Sequence, residues 1–209
     1  MRKNAIAMTS AIVIATLGFC SCGVQSNQPK EMTVKQALSE RHSRRAFSNV
    51  PLPRDLVMEI LWAGNGKNQF DRRTAPSAVN AQDIDLYLCT GEGVSKYNAG
   101  EAKLEKVTDE DIRPFLQAQN RFIMEAPVTI LLVSDQDKFG EPRPGSRNMN
   151  FGFIDAGIVS ENISLFCTAE GLATVCCAPR IREKEVRGAL GLTERQVPIL
   201  YHPVGYPAE

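Results

Sequence analysis

Apolar residues recur in this chain at helical spacing in some stretches, and in alternation or unbroken runs in others. Thr33-Val-Lys-Gln36 has the capping-box pattern and opens a short predicted helix to about Arg41. A second helix is predicted from Pro53, with Leu56, Val57, Ile60 and Leu61 on one face and a stop at Gly64 to Gly66. A loop rich in Asn, Arg and Pro follows, to about Ala81. Ile84, Leu86 and Leu88 alternate with Asp85, Tyr87 and Cys89, the pattern of a half-buried strand. A turn at Gly91 to Gly93 leads to its hairpin partner over Val94 to Asn98. Thr108 with Asp111 can cap a helix from about Glu110 to Met124, with Pro114 tolerated in its first turns. Val128 to Val133 is a continuous apolar run suited to a central strand. After a loop, Phe151 to Gly171 reads as a long, largely apolar helix that must lie in the core. Ala173 to Cys177 predicts a strand, Glu183 to Leu190 an amphipathic helix ended by Gly191, and Val197 to Val204 a last strand. Helices and strands are mixed, with one clear hairpin and no regular βαβ alternation. The expected class is α+β, a mainly antiparallel central sheet flanked by helices.

The first residues follow a different rule. Arg2 and Lys3 precede an uncharged, mostly apolar run from Ala5 to Phe19, which is short for a transmembrane helix. It ends in Gly18-Phe-Cys-Ser-Cys-Gly23 and resembles a bacterial lipoprotein signal, in which a small residue precedes the Cys that is lipidated. Cys22, preceded by Ser21, fits that role better than Cys20, preceded by Phe19. An ordinary cleaved secretory signal and a retained membrane anchor are the two other readings. The expected organisation is a lipoprotein signal peptide over 1–21, a flexible polar tether over 22–31 and one folded domain over 32–209. No acidic cluster follows Cys22, so the expected location is export with a lipid anchor, facing the periplasm.

Charge and cysteine content narrow the function classes. The 209 residues hold 24 basic and 24 acidic side chains, and losing the signal would leave 22 against 24. With no sustained basic stripe, nucleic acid is not an expected partner. Cys89, Cys167, Cys176 and Cys177 form neither a disulfide framework nor a C-x-x-C pair, and His42 and His202 are the only histidines. No metal site is expected, and buried structural thiols are the simplest reading. Cys176 and Cys177 would point to opposite sides of a strand.

Two segments carry candidate chemistry. Arg41-His-Ser-Arg-Arg45 brings guanidinium forks and a hydroxyl together where a helix gives way to a loop, a combination able to grip phosphate. Taken alone it is equally a solvated basic turn. Pro76-Ser-Ala-Val-Asn-Ala-Gln82 offers Ser77, Asn80 and Gln82 just before a strand, to a polar ligand or to their own backbone.

Together, and in this order, the segments are more specific. R-x-S-x-R (Arg41, Ser43, Arg45), P-S-x-x-N-x-Q (Pro76, Ser77, Asn80, Gln82), A-x-G-L at the end of a long helix (Ala169, Gly171, Leu172) and Gly205-Tyr206-Pro207 resemble the nitroreductase family of FMN enzymes. The resemblance spans about residues 36–207, and 61–87 looks closest to the compact branch related to thiazole- and oxazole-forming peptide oxidases. It implies an intertwined homodimer. Arg41, Ser43 and Arg45 would hold the FMN phosphate, ribityl chain and pyrimidine edge, with His42 contributing through its backbone. Pro76, Ser77 and Ala78 would reach over the isoalloxazine of the sister subunit, and Asn80 would bond the flavin of its own. Pro179 has no N–H to give, so a backbone N–H of Cys177 or Ala178 would meet flavin N5, or that contact would be absent. Many relatives place a basic pair after Gly-Tyr-Pro, whereas here Ala208 and Glu209 follow. Arg180 or Arg182 would then be the further phosphate candidates.

The implied activity is two-electron transfer at flavin N5 between a reductant, NAD(P)H among the candidates, and a small organic acceptor such as a nitro compound, quinone or enone. No protein residue is expected to act as acid, base or nucleophile. Arg45 is the candidate stabiliser of the reduced flavin anion. Two other readings stand beside it: a flavin-binding lipoprotein without turnover, and a cofactor-free dimeric scaffold.

Overall fold

The protein is described from a computed structural model, which covers residues 32–116, 121–141, 148–178 and 182–208. The chain divides into two units, Met1–Lys30 and Glu31–Glu209. The expected signal and tether, Cys22, Pro179 and Arg180 lie outside the described residues. Among the described residues no helix is long and apolar enough to cross a membrane.

The helices are α1 (Val34–Glu40), α2 (Arg54–Asn65), α3 (Arg113–Leu116), α4 (Asn148–Ala169) and α5 (Glu183–Leu190). The strands are β1 (Ile84–Thr90), β2 (Gly93–Asn98), β3 (Lys103–Thr108), β4 (Val128–Asp135), β5 (Ala173–Thr174) and β6 (Gln196–Gly205). The strands form one six-stranded sheet, order β3-β2-β1-β4-β6-β5, with every pairing antiparallel. This is the expected α+β class.

Period-two alternation sends side chains of β1 and β4 to opposite faces of the sheet. Leu86, Leu88, Ile130 and Leu132 meet Ile60 and Leu61 of α2 and Val159 and Ile163 of α4. Tyr87, Cys89, Leu131, Val133 and Tyr201 meet Ile112 just before α3, Leu116 of α3, and Val186 and Leu190 of α5. Both faces are covered, so β1, predicted half-buried, is buried along nearly its whole length. Asp85 on that strand is held by Lys96 and Lys138, each at 2.8 Å.

Several boundaries follow from local chemistry. The Thr33–Gln36 capping box forms, with both reciprocal bonds in place. Helix α4 ends where Gly171 turns left-handed (φ 68°) and the Leu172 N–H reaches back to the Cys167 carbonyl at 2.7 Å. A Cβ on Gly64 would come within 2.9 Å of Ile163, so this glycine sets how closely α2 approaches α4. The predicted helix from Glu110 to Met124 is replaced by α3 and a 3₁₀ turn at Arg121–Met124, with 117–120 outside the described residues. Asp111 accepts from the Arg113 N–H at 3.0 Å, whereas Thr108 closes β3. That strand, Lys103–Thr108, went unread because its exposed face carries charge instead of alternating apolar residues. The predicted strand to Cys177 is regular only over Ala173–Thr174, followed by an isolated bridge between Cys177 and Tyr201.

Candidate functional site

Residues 41–45 leave the end of α1 as an extended segment along the sheet's β5 and β6 end. The Arg44 N–H donates to the Thr174 carbonyl at 3.0 Å, and Phe47 bridges to Pro207. The extended backbone alternates its side chains. His42 and Arg44 turn toward Thr174 and the end of α4, where they line a small cavity with Thr168 and Leu172. His42 Nδ1 bonds the Glu40 carbonyl at 2.8 Å, so Nδ1 carries the proton and Nε2 accepts from Arg44 Nε at 3.0 Å. Arg41, Ser43 and Arg45 occupy the other set of positions, and all three are exposed. Arg41 reaches only Glu161 of α4, at 3.6 Å, and no ion pair holds Arg45 among the described residues. Arg45 lies near enough to Cys177 to act on its thiol electrostatically. Two guanidinium groups and a hydroxyl are thereby presented on one side of a backbone fixed by the sheet, the arrangement an anionic ligand needs.

Behind this segment lies a buried polar network with no local signature in the chain. His202 on β6 is fully buried. The Thr174 hydroxyl donates to the Pro203 carbonyl at 2.9 Å, so its oxygen accepts from His202 Nδ1–H at 3.2 Å. His202 Nε2 then accepts from the Ser160 hydroxyl at 2.8 Å. Burial lowers the imidazole pKa to about 4, which keeps the ring neutral.

The second segment, 76–82, is a tight loop with a 3₁₀ turn at Ala78–Asn80. Val79, Asn80 and Gln82 have positive φ angles of 47°, 56° and 51°, an unfavourable conformation for a β-branched residue such as Val79. Internal bonds hold it: the Gln82 N–H donates to Ser77 Oγ at 2.8 Å, and Arg73 donates to Gln82 Oε1 at 3.0 Å and to the Asn65 carbonyl at 2.8 Å. The loop is tied to the core through the Ala78 N–H, which donates to both carboxylate oxygens of Asp155 on α4, at 3.0 and 2.9 Å. A cavity of about 520 Å³ opens beside it, lined by Arg72, Arg73, Pro76, Ser77, Asn80 and Gln82.

Asp155 has a neighbour. Asp83, fully buried, lies within hydrogen-bonding reach of it and accepts from the Ser134 hydroxyl, to which Gln136 also donates at 2.6 Å. Burial and the adjacent Asp155 carboxylate raise the Asp83 pKa to about 6. Sequence reading missed both acids, because an Asp inside an apolar helix and one before a strand resemble solvated or capping residues. The usable signal was Asp155 at a core-facing position of α4.

The remaining candidates divide. The Cys177 N–H is taken by the Tyr201 carbonyl at 2.9 Å, so the expectation that it can serve flavin N5 is corrected, and Ala178, exposed beside it, is the remaining candidate. Arg182 stacks over the Phe115 ring, 4.9 Å from its centroid, and its N–H bonds the Phe115 carbonyl, which ties it to α3. Cys89, Cys167 and Cys177 are buried and their thiol pKa values are pushed up by desolvation, whereas Cys176 is exposed. Among the described residues no group of His, Cys, Asp and Glu could hold a metal. No hydrogen bond or ion pair joins 41–45 to 76–82 among the described residues. The two segments touch α4 at Glu161 and at Asp155 respectively, positions on different sides of the helix.

Comparison with known proteins identifies the family and its fold. Residues 38–206 match the Nitroreductase family. The chain is 26% identical over 182 residues to a Methanothermobacter thermautotrophicus protein assigned as an NADH dehydrogenase/NAD(P)H nitroreductase, covering 86% of this chain and 80% of that one. A crystal structure of a protein assigned as a nitroreductase in Ralstonia eutropha superposes with a TM-score of 0.79 at 29% identity, covering 88% and 87% of the two chains. A nitroreductase family protein of Clostridium novyi shares the fold, with a TM-score of 0.61 at 20% identity and coverage of 85% and 87%. The chain belongs to the nitroreductase family of oxidoreductases.

Proposed function

We propose that the protein is a homodimeric FMN-dependent oxidoreductase whose cofactor phosphate is held by Arg41 and Arg45. The observation that carries this reading is the segment 41–45, where exposed guanidinium groups with no tight ion pair stand on a backbone pinned to the sheet. Bound there, FMN would accept a hydride at N5 from a donor such as NAD(P)H and pass two electrons to a nitro compound, quinone or enone. Arg41 and Arg45 supply charge-assisted bonds to an anion, and Ser43 adds a hydroxyl between them. Arg45 would also place positive charge toward the pyrimidine edge. His42 would contribute through its backbone, since its ring is held by Glu40 and Arg44. Ala178 would offer its N–H toward N5.

Dimerisation supplies the second segment. Phe153 and Ile154 on α4 and Val34 and Leu38 on α1 are each more than half exposed, an apolar surface that a monomer would leave in water. A second copy placed there would cover it and bring Pro76, Ser77 and Ala78 over the sister flavin. The Ser77 hydroxyl still has its proton to donate, and the Asn80 side chain is exposed. The Ala78 N–H is already given to Asp155, so Ala78 would contribute its methyl and carbonyl groups.

We further propose that Cys22 is lipidated after export, with the domain in the periplasm. That location would separate it from cytoplasmic NAD(P)H and points to another reductant. Resemblance of 61–87 to the heterocycle-forming oxidases makes a desaturation of an exported substrate the companion proposal. The occupied Cys177 amide favours a second reading, a flavin-binding protein without turnover.

An absorbance spectrum of the purified protein between about 300 and 550 nm tests the first claim, since bound flavin gives two bands there. A colourless protein that takes up no added FMN would reject it. Anaerobic addition of NADH or NADPH separates the rest: rapid bleaching establishes pyridine-nucleotide turnover, and a yellow protein that no donor reduces supports binding alone.

A further inference from the structure

Two buried carboxylates that the flavin reading leaves unused stand beneath the 76–82 loop. Asp155 is 2% exposed and Asp83 fully buried. Asp155 accepts the Ala78 N–H with both oxygens. Asp83 Oδ2 accepts from Ser134, but its Oδ1 is buried with no donor, although Asp155 is within hydrogen-bonding reach. Two carboxylate oxygens facing each other repel unless a proton lies between them.

Among the described residues no cation relieves the pair. Ser134 on β4 and Gln136 just after it face Asp83, and both are neutral. From α4 only Asp155 carries charge toward it. Lys138 is engaged by Asp85, and Arg73 by Gln82 and the Asn65 carbonyl. A Cβ on Gly152 would come within 2.5 Å of Ser134 Oγ, so α4 is seated tightly against this group.

We propose that Asp83 carries a proton that it donates to the Asp155 carboxylate, and that this pair positions the 76–82 loop through the Asp155 bond to the Ala78 amide. Asp155 is thus a positioning residue for the cofactor loop, and Asp83 is the group that keeps Asp155 in place. Protonation lets Asp83 donate to Asp155 and holds that carboxylate in place beneath the loop. Loss of the proton sets two buried charges against each other and loosens the grip on Ala78. The loop is better ordered in mild acid than above neutrality. Its relevance to the cofactor rests on the flavin reading given above; the ordering itself does not.

The test measures amide hydrogen exchange of the peptide spanning 75–83 in the full-length, cofactor-free protein at about pH 5 and about pH 8, as protection relative to intrinsic rates. Wild-type protection is expected to fall about tenfold between the two. Asp83→Asn, a permanent neutral donor, should keep the acid level of protection at both values. Asp155→Ala should lose protection at both, and weaken FMN binding about tenfold. Equal wild-type protection at the two values, or a pH step that survives in Asp83→Asn, overturns the Asp83 proton. If Asp155→Ala does not fold, Asp83→Asn alone decides the matter. Protection that behaves as expected while FMN affinity in Asp155→Ala is unchanged would keep the pair and remove the loop from the flavin site.

Discussion

The two candidate-site segments are held in place by opposite means. Residues 41–45 are extended, with no positive φ, and borrow their rigidity from hydrogen bonds to the edge of the sheet. Residues 76–82 are strained, with three positive φ angles, and depend on a buried carboxylate for their attachment. Each brace contains a buried titratable group. Under 41–45, neutral His202 fixes Thr174, whose carbonyl holds Arg44. Under 76–82, Asp83 supports Asp155, which holds Ala78. The lesson is that acid acts on the two halves in opposite directions.

The largest expected effect follows from that opposition. His202 is held below its ordinary value, so the unfolded chain takes up its proton first. Its contribution is complete above about pH 6.5 and is lost as pH falls toward about 4, worth about 3 kcal/mol. Asp83 is held above its ordinary value, so its contribution is complete below about 3.8 and is lost as pH rises through about 6, worth about 3 kcal/mol. In the wild type the two oppose each other between about pH 4 and 6. Urea unfolding of Asp83→Asn should therefore lose stability toward acid much more steeply than the wild type, whereas His202→Gln should gain relative to it. Parallel pH profiles in all three proteins would dissolve the contrast between the braces.

Removing the ligand groups without touching a brace sharpens the comparison from the other side. Arg41→Ala with Arg45→Ala should weaken FMN binding about 100-fold, the loss of two charge-assisted contacts. Stability should stay within about 1 kcal/mol, because the Arg41–Glu161 contact is exposed and 3.6 Å long. Arg182→Ala serves as the control: it should disturb the packing on Phe115 and leave FMN affinity unaltered. Fluorescence quenching titrations with FMN give the affinities. Unchanged binding in the double variant would end the phosphate assignment.

This contrast also explains what could be read from the sequence. Positions such as Leu86 and Leu88, or the cap at Thr33, announce themselves by period and residue type, and the segment 41–45 showed its proposed ligand groups openly because its backbone needs no side chain to hold it. Glu183–Leu190 matched the amphipathic pattern to the residue. What stayed hidden was support at a distance. Asp155 lies 77 positions from the Ala78 amide it binds, and His202 lies 42 from Ser160. No local pattern encodes such pairs. Cys177 was misread for the same reason, since its amide is claimed by Tyr201, a partner only the folded sheet supplies.

The smallest effect probes the strain itself. Val79 is 80% exposed and adopts φ 47°, so its side chain gains no packing within the protomer to offset a conformation that disfavours β-branching. Val79→Gly removes that strain, which is about 1–2 kcal/mol, and adds chain entropy to the unfolded state, about 0.5–1 kcal/mol. The net expectation is a stabilisation of about 0.5–1 kcal/mol in urea unfolding. The same change at Ser43, where φ is negative and glycine relieves nothing, leaves only the entropic cost and should destabilise by about 0.5–1 kcal/mol. Opposite signs at the two positions are what a strained loop and a sheet-templated segment require. If both glycine variants lose stability, the left-handed turn at Val79 carries no strain, and the two segments differ in charge alone.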